Sequence, residues 1–440
     1  MAHRQPRVLL GMAETAGYLA SLQRGFEEIG CRCHFIDLTE HPFGYARAAA
    51  LPGPSRWRAA LARRLASLPR GSWRRLGWRT ATLLVDLLML AWAIGHADLF
   101  VFTGHDSLLW RNLDLPLLRV LGKRVVWVFL GSDHRPPYLN GKRVRESRAA
   151  GEDGYLHLAE RTRAFATIVQ RIERRAHVVV AMSASAQLHT RSFVHLLAIG
   201  IPHAGDREEP EPPAEPATVL GTPVRVLHSP SDPAKGSEAI QRCVAGLEAS
   251  GLPLEYREIS GRPHAEVLDA ILHSDLVVDQ LYSDSPLAVF ATEAAYRGRA
   301  AIVGGYYADS IADDVPADLI PPSRFVAPGQ LCAAIDELAR DEAGRAALGT
   351  ELAGFVRDRW SPADVARRYL QIAYARPPAA WLYDPDRLRY VHGWGLSEAE
   401  IGDYVGRFVE RCGDSALALD HHPRLRDSLL GLAASTHGEA

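Results

Sequence analysis

The chain has 440 residues, of which 47% are hydrophobic and 23% are charged, and its formal net charge is -2. One compact core rarely grows to this length, so we expect two domains with additions. The near-neutral charge excludes a protein that coats nucleic acid with its whole surface, and nucleic acid is the least favoured partner.

The cysteines and the apolar segments favour a cytoplasmic protein. Five cysteines occur without a CxxC or a Cys/His spacing typical of metal sites, so we expect reduced thiols in a cytoplasmic protein that holds no metal. The N-terminus has no signal-peptide pattern. The most apolar run, Ala81 to Ile94, is shorter than the ~20 residues of a spanning helix. Asp86 also interrupts it, which favours a buried helix.

The first forty residues predict a β–α–β unit. Arg7 to Gly11 is a short apolar run typical of a buried strand, and residues 11–30 show helical periodicity. Cys31 to Leu38 is the next predicted strand. This order is typical of a doubly wound α/β fold. The GxGxxG motif is absent, so a nicotinamide-dependent sugar enzyme ranks last among the candidate functions.

A segment rich in arginine and tryptophan follows. Between Glu40 and Asp86 the sequence has no carboxylate, whereas Arg56–Arg79 contains eight arginines and three tryptophans. Three interpretations stay open. The segment is a solvated helical arm, a surface for anionic lipid headgroups or a polyanionic acceptor, or, least favoured, a nucleic-acid surface.

Polar residues follow an apolar strand in the middle of the first half. The strand Arg124–Leu130 runs into the sequence GSDHRPPYLNG at residues 131–141. In α/β proteins, ligands bind beyond the carboxyl ends of the strands, so this loop is a candidate binding loop.

Residues 203–222 are acidic, proline-rich and without periodicity, which is typical of a semi-rigid linker. The alternative is a surface loop inside one domain. We assign 1–202 to a first Rossmann-like domain, 203–222 to the linker, 223–360 to a second Rossmann-like domain, 361–376 to a crossover helix and 377–440 to a small helical extension.

The second half contains the segment Asp279–Gly305, which predicts a strand end, a tight loop, a helix and another strand. Ser285 followed by Pro286 is a typical helix start, and Gly298 is a typical helix end. A strand–loop–helix unit points free backbone N–H groups at its ligand, which favours an anion and above all a phosphate.

Three segments resemble the GT-B glycosyltransferases of the retaining, glycogen-synthase-like superfamily. They are LHSPSDPAKGSEAI, beginning at Leu227; HSDLVVDQL with AVFATEAAYRGRAAIVGG, between His273 and Gly305; and GKRVVWVFLGSDHR, which begins at Gly122 and is similar to bacterial members. The resemblance covers about residues 7–375. It implies two Rossmann-like domains and transfer of a sugar, with retained configuration, from a nucleotide-diphosphate sugar to an acceptor in the first domain. No metal or other cofactor is implied.

The resemblance also implies roles for individual residues. Lys235, followed by Gly236, is the expected diphosphate lysine, and Glu293 is the expected ribose-binding carboxylate. Ser229 and Ser231 are candidate hydrogen-bond donors to the phosphates. The candidate acceptor-side residues come from the end of the first strand and from the GSDH loop, and Asp133 counts among the catalytic candidates with Lys235. These acceptor-side residues are Gly11, Ser132, Asp133 and His134.

The chain departs from the family pattern at four places. Ser285 stands where the family has a carboxylate that holds the transferred sugar, and Asp284 beside it is the candidate replacement, hence the third catalytic candidate. Ala288 stands where a glycine is expected, Leu130 replaces a histidine, and the arginine that accompanies the lysine is missing. These departures support the alternative of a non-catalytic GT-B partner subunit.

The acceptor is left open between a glycan, a lipid-linked glycan and a small molecule. The segment Arg56–Arg79 suggests an anionic acceptor or membrane surface. We expect a cytoplasmic protein that is peripheral to the inner face of the membrane.

Overall fold

The computed structural model describes residues 5–38, 53–66, 73–203 and 222–437. They form two α/β domains, each built on its own sheet. The predicted linker lies outside the described residues apart from its first and last positions. The predicted fold class of two Rossmann-like domains is confirmed.

The sheet of the first domain has seven strands in the order β12-β6-β5-β4-β3-β1-β2, and all its pairs are parallel except β12 with β6. Apolar runs such as VLLGM are buried on both faces, as a sheet covered by helices requires. The strands are β1 (Val8–Met12), β2 (Cys33–Asp37), β3 (Leu99–Thr103), β4 (Arg124–Val128), β5 (Val178–Ala181), β6 (Phe193–His195) and β12 (Leu382–Tyr383).

Before the linker, the described part of this domain contains seven α-helices, and the loops that precede most of them leave the carboxyl edge of the sheet. They are α1 (Tyr18–Glu28), α2 (Ser55–Ala66), α3 (Trp73–His96), α4 (Asp114–Val120), α5 (Gly141–Ala149), α6 (Gly151–Arg175) and α7 (Leu196–Ile199).

The second domain has a five-stranded parallel sheet in the order β11-β10-β9-β7-β8. Its strands are β7 (Val224–His228), β8 (Leu254–Glu258), β9 (Leu276–Val278), β10 (Ala300–Gly304) and β11 (Arg324–Val326). Its helices are α8 (Ser237–Ala249), α9 (His264–Leu272), α10 (Val289–Tyr296), α11 (Ile311–Asp314), α12 (Leu331–Arg340) and α13 (Glu342–Arg359).

The chain then returns to the first domain through α14 (Pro362–Tyr374), whose N-cap is Ser361. Helix α14 packs on α1 so closely that a Cβ at Gly25 would lie 1.9 Å from the carbonyl oxygen of Pro362. The hydroxyls of Tyr18 and Tyr369 meet at 2.7 Å in this contact. Beyond α14 come β12 and two helices, α15 (Glu398–Cys412) and α16 (Pro423–His437), which pack on each other.

Helix α3 differs from its prediction. The helix has 24 residues, and its stretch Gly77–His96 is long and apolar enough to cross a membrane by length and composition, with a mean hydropathy of 1.3. The buried-helix prediction holds for Met89 and Leu90 but is wrong for the outer face, where Leu84 is 59% exposed. Periodicity did not reveal this, because apolar residues occupy both faces.

The prediction that all cysteines are reduced is wrong for one pair. Cys243 on α8 and Cys332 on α12 form a disulfide, with their Cα atoms 5.6 Å apart. The two residues are 89 positions apart in sequence. Cys31, Cys33 and Cys412 remain free thiols.

The predicted helix start at Ser285–Pro286 is also wrong. Helix α10 begins at Val289, and residues 281–288 form a loop whose core is the side chain of Ser283. Ser283 Oγ accepts from the backbone N–H of Ser285 at 3.1 Å and donates to the carbonyl of Ser285 at 2.7 Å. This local ring of hydrogen bonds competes with helix formation, as serine side chains in turns do.

Candidate functional site

A cleft of about 640 Å³ lies between the two domains. Its walls are the loops at the carboxyl ends of β1, β4 and β5 on one side and those of β7 and β9 on the other. This is the edge of each parallel sheet at which α/β proteins bind ligands.

Glu293 is the central carboxylate of the second-domain wall. It lies on α10, lines the cleft and is 6% exposed. Its Oε1 is 2.7 Å from His264 Nε2 at the start of α9. A buried carboxylate oriented in this way is a good acceptor for a pair of hydroxyl groups.

The two atypical positions of the loop before α10 also line the cleft. Ser285 Oγ donates to the carbonyl of Leu287 at 3.3 Å. Ala288 is the N-cap of α10 and has φ −90°, a conformation that needs no glycine. The alanine therefore costs the backbone nothing, and only its methyl group limits how closely a ligand approaches.

Lys235 does not line the cleft. Its Nζ donates to Asp279 Oδ1 at 3.0 Å, and Asp279 is fully buried at the end of β9. The other carboxylate oxygen of Asp279 has no hydrogen-bond partner among the described residues. A lysine that neutralises a buried carboxylate has its charge already committed, so Lys235 fixes the loop after β7 to β9.

Gly236 secures the same contact between loops. It has φ +83°, and an added Cβ would lie 2.7 Å from Cβ of Leu281. The backbone N–H of Leu281 donates to the carbonyl of Lys235 at 2.9 Å. The Lys-Gly pair therefore has a packing function in this structure.

The candidate phosphate serines differ from each other. Ser231 lines the cleft. Ser229 does not, because its hydroxyl donates to the carbonyl of Ile259 at 3.0 Å and ties the loop after β7 to β8.

Asp284 points into the cleft, where a first-domain arginine meets it. Its carboxylate pairs with the guanidinium of Arg135, and Ser185 Oγ donates to it at 2.8 Å. Both members of the ion pair are largely buried, and Nε of Arg135 has no partner among the described residues. The pair joins the two walls directly.

The ionic groups of the walls are separated by sign. Among cleft-lining residues, the first domain contributes Arg135, Lys142 and Arg143, whereas every carboxylate comes from the second. Lys142 Nζ lies 3.7 Å from a carboxylate oxygen of Asp232 across the cleft. Asn140 caps α5 by accepting from the backbone N–H of Arg143 at 3.2 Å, so the positive end of the helix dipole also faces this region.

Sequence reasoning missed these three cations. Arg135 is part of the GSDHR sequence used for the resemblance, and Lys142 and Arg143 directly follow the predicted binding loop. An asparagine before Gly-Lys-Arg is a recognisable helix cap with cations in the first turn. That pattern was the available signal.

The acceptor-side candidates are only partly brought together. Ser132 lines the cleft, whereas Asp133 holds its own loop. Its two carboxylate oxygens accept from the backbone N–H of Leu130 at 3.0 and 3.2 Å, and burial raises the pKa of Asp133. Gly11 is buried in β1, and a Cβ there would lie 2.9 Å from the carbonyl oxygen of Ile36.

His134 lies behind the cleft wall in a buried chain of polar groups. Its Nδ1 is 2.9 Å from His189 Nε2, and His189 Nδ1 is 2.7 Å from Glu173 Oε1. Burial holds the pKa of His134 well below its usual range. Neither Gly11 nor His134 lines the cleft. The loop after β1 instead contributes Thr15, Ala16 and Tyr18 to the wall.

The C-terminal extension contributes Trp394 to the cleft. Its indole N–H donates to Gln280 Oε1 at 2.9 Å in the second domain. Its backbone N–H donates to the carbonyl of Leu139 at 3.0 Å in the first. A Cβ at Gly393 would lie 2.3 Å from that carbonyl oxygen, so the glycines of the Gly-Trp-Gly sequence allow the extension to pass between the domains.

No family model matches the sequence, and no curated protein matches it. Solved structures resemble the chain at the level of the fold. HepE of Anabaena, in complex with UDP and glucose, is 12% identical, with a TM-score of 0.45 over 84% of this chain and 99% of that chain.

SnogD, a glycosyltransferase from Streptomyces nogalater, is 13% identical, with a TM-score of 0.40 over 84% of this chain and 100% of that chain. The glycosyltransferase VinC, in complex with dTDP, is 13% identical, with a TM-score of 0.36 over 83% of this chain and 99% of that chain. These likenesses are distant and extend to the fold alone.

Proposed function

We propose that the chain is a glycosyltransferase that moves a sugar from a nucleotide-diphosphate sugar to an acceptor on the first-domain side of the cleft. The observation that supports this most is the buried carboxylate of Glu293, held by His264 on the second-domain wall. It is suited to accept the two ribose hydroxyls of a nucleotide.

The distribution of charge suggests how the reaction proceeds. When the bond between the sugar and the diphosphate breaks, negative charge grows on the diphosphate. Arg135, Lys142 and Arg143 line the cleft and stabilise this negative charge. Lys235 acts indirectly, because it positions its loop. The acceptor hydroxyl forms the new bond to the sugar, and its proton passes to the departing diphosphate.

Asp284 has a place in the same sequence of events. We assign it a switch of partner: the incoming diphosphate takes over Arg135, and the released carboxylate then holds hydroxyls of the transferred sugar. Retention of configuration, independence from metal ions and other cofactors, and a cytoplasmic location at the inner face of the membrane are further parts of this proposal.

For the acceptor, we propose an anionic, lipid-linked glycan that approaches along the segment Arg56–Arg79. A small-molecule acceptor is the alternative. Residues 67–72 of this segment lie outside the described residues.

A second candidate function is a non-catalytic partner subunit. The observation that favours it is the state of the cleft, where Lys235 is committed to Asp279 and Arg135 to Asp284. In such a protein the ion pair across the walls is permanent and excludes the diphosphate.

A panel of UDP-, GDP- and dTDP-linked sugars with the free diphosphates separates the two functions. An enzyme shows a raised melting temperature with at least one nucleotide, by linkage, and releases the nucleoside diphosphate when an acceptor is present. A partner subunit shows neither.

A further inference from the structure

The exposed apolar residues of this protein are concentrated in one part of the first domain. Of the thirteen large hydrophobic residues exposed in the described chain, ten lie between residues 57 and 121. Single exposed apolar residues are ordinary, but a cluster of this kind marks an interaction surface.

Helix α3 provides the first part of this cluster. Leu83, Leu84, Leu87 and Leu88 are 46 to 59% exposed and form one stripe along the outside of the helix. The opposite side is fixed to the domain, with Met89 and Ala93 buried. Because one side packs on the domain, α3 cannot span a bilayer in this fold and is suited to lie along its surface.

Helix α4 and the turn before it provide the second part. Leu113, Leu117, Val120 and Leu121 are spaced as one helical face, and Val120 is 84% exposed. Trp110 in the turn is 72% exposed. None of these residues belongs to the arginine-rich segment, so they are an independent observation.

The topology places both helices on the same side of the sheet. The crossover from β2 to β3 and the crossover from β3 to β4 run in the same direction across the strand order. Right-handed crossovers therefore put α3 and α4 on one face, while α1, whose crossover runs the other way, covers the opposite face.

The charges around this face favour an anionic partner. Between residues 53 and 121, the side chains that the structure describes include seven arginines and four aspartates. Asp86 is paired with Arg58 at 2.7 Å, and Asp114 is buried. Two exposed tryptophans have guanidinium groups over their rings, Trp57 with Arg56 at 5.7 Å and Trp110 with Arg111 at 5.2 Å. Apolar stripes bordered by arginine and tryptophan match the interface of a bilayer with anionic headgroups.

We propose that the outer faces of α3 and α4 together form a docking surface that lies in the headgroup region of an anionic membrane and inserts their leucines. This deepens the proposed function by naming where its acceptor resides, and it rests on that function only for the identity of the acceptor. A second copy of the chain is the competing occupant.

The test is flotation of the full chain with vesicles of phosphatidylcholine alone or with a third of phosphatidylglycerol, without any nucleotide. We expect binding to the anionic vesicles that weakens as salt rises, and little binding to the neutral ones. The variants Leu84→Ser/Leu88→Ser and Leu117→Ser/Val120→Ser should each lower the affinity about tenfold or more. The control variant Leu156→Ser, at a 53% exposed leucine on α6, should bind like the wild type.

The proposal is overturned if anionic vesicles do not bind at low salt, if both paired variants bind like the wild type, or if neutral vesicles bind equally well. It is also overturned if sedimentation shows a dimer that both paired variants dissociate and that does not bind vesicles. Nucleotide is absent from the assay, so failure here leaves the transferase proposal standing. Equally, a chain without nucleotide affinity can still bind vesicles.

Discussion

The two walls of the cleft present opposite charges to a ligand that both must touch. The first-domain wall carries arginine and lysine side chains, and the second-domain wall carries Asp232, Asp284 and Glu293. A nucleotide sugar has an anionic diphosphate and neutral hydroxyl groups. Under the proposed function, the diphosphate therefore binds the first wall, and the ribose and sugar hydroxyls bind the second.

The largest expected effect concerns Lys235, which lies outside both walls of the cleft and pairs with Asp279. Lys235→Ala should lower the free energy of unfolding by about 3–5 kcal/mol, because it leaves Asp279 buried and unpaired. Denaturant unfolding measures this loss. The double variant Lys235→Met/Asp279→Asn removes both charges and should recover most of the stability.

The double variant also shows whether Lys235 binds the diphosphate. If Arg135, Lys142 and Arg143 bind the diphosphate without Lys235, the affinity of the double variant for UDP and inorganic diphosphate should stay within about threefold of the wild type. If the double variant is stable but binds neither UDP nor inorganic diphosphate, Lys235 contacts the diphosphate directly.

The next effect tests the carboxylate wall. Glu293→Ala should weaken the binding of a nucleoside diphosphate about 10- to 150-fold, because hydrogen bonds to a charged group contribute about 1.5–3 kcal/mol. The binding of inorganic diphosphate, which has no ribose, should not change. Glu337→Ala, at an exposed residue of the same domain, is the control for calorimetry. An equal loss for both ligands would show that Glu293 does not contact the ribose.

A moderate effect is expected where the walls touch. Asp284→Asn keeps the shape of the side chain but leaves Arg135 without its counter-charge. The melting temperature should fall in the absence of nucleotide, and UDP should bind about tenfold more tightly and restore more stability than in the wild type. Turnover should fall as well, since the sugar loses its carboxylate.

Ser185→Ala is the matched control for this variant, because it removes the hydroxyl that donates to Asp284 at 2.8 Å and accepts from Arg135 at 3.2 Å, and it keeps the ion pair. Unchanged nucleotide affinity in Asp284→Asn would contradict the exchange of partners at Arg135.

The smallest effect belongs to the solvent-exposed part of the positive wall. Lys142→Ala and Arg143→Ala should each weaken UDP binding about fivefold at low salt and less at high salt, because exposed charges contribute only about 1 kcal/mol and are screened. Arg242→Ala, on the outer face of α8, should not change the affinity. Losses that do not depend on salt would indicate that these side chains act through packing.

The sequence predicted the layers of this fold because its strands are short, apolar runs whose pattern is unambiguous. Glu293, Ser231, Ser285 and Ala288, which the resemblance assigned to the donor site, line the cleft, as do Asp284 and Ser132. The predicted helix start at Ser285–Pro286 was wrong because hydrogen bonds of the Ser283 side chain stabilise a loop there.

Other features depend on contacts between distant parts of the chain. The pairing of Lys235 with Asp279 and of Arg135 with Asp284 joins residues 44 and 149 positions apart. The extension that carries Trp394 was predicted as a helical addition, yet its Gly-Trp-Gly sequence fits between two domains. Local sequence patterns predict which charged side chains lie near the cleft, whereas only the folded structure shows which of them are already in ion pairs.

Calorimetric titration of the wild type and of Glu293→Ala with UDP, GDP and dTDP tests the central claim most directly. The proposed function predicts a dissociation constant below about 100 μM for at least one nucleotide, and an affinity about 10- to 150-fold weaker for that nucleotide in the folded Glu293→Ala variant. If no nucleotide binds the wild type below about 1 mM, the cleft is not a nucleotide-sugar site and the account is contradicted.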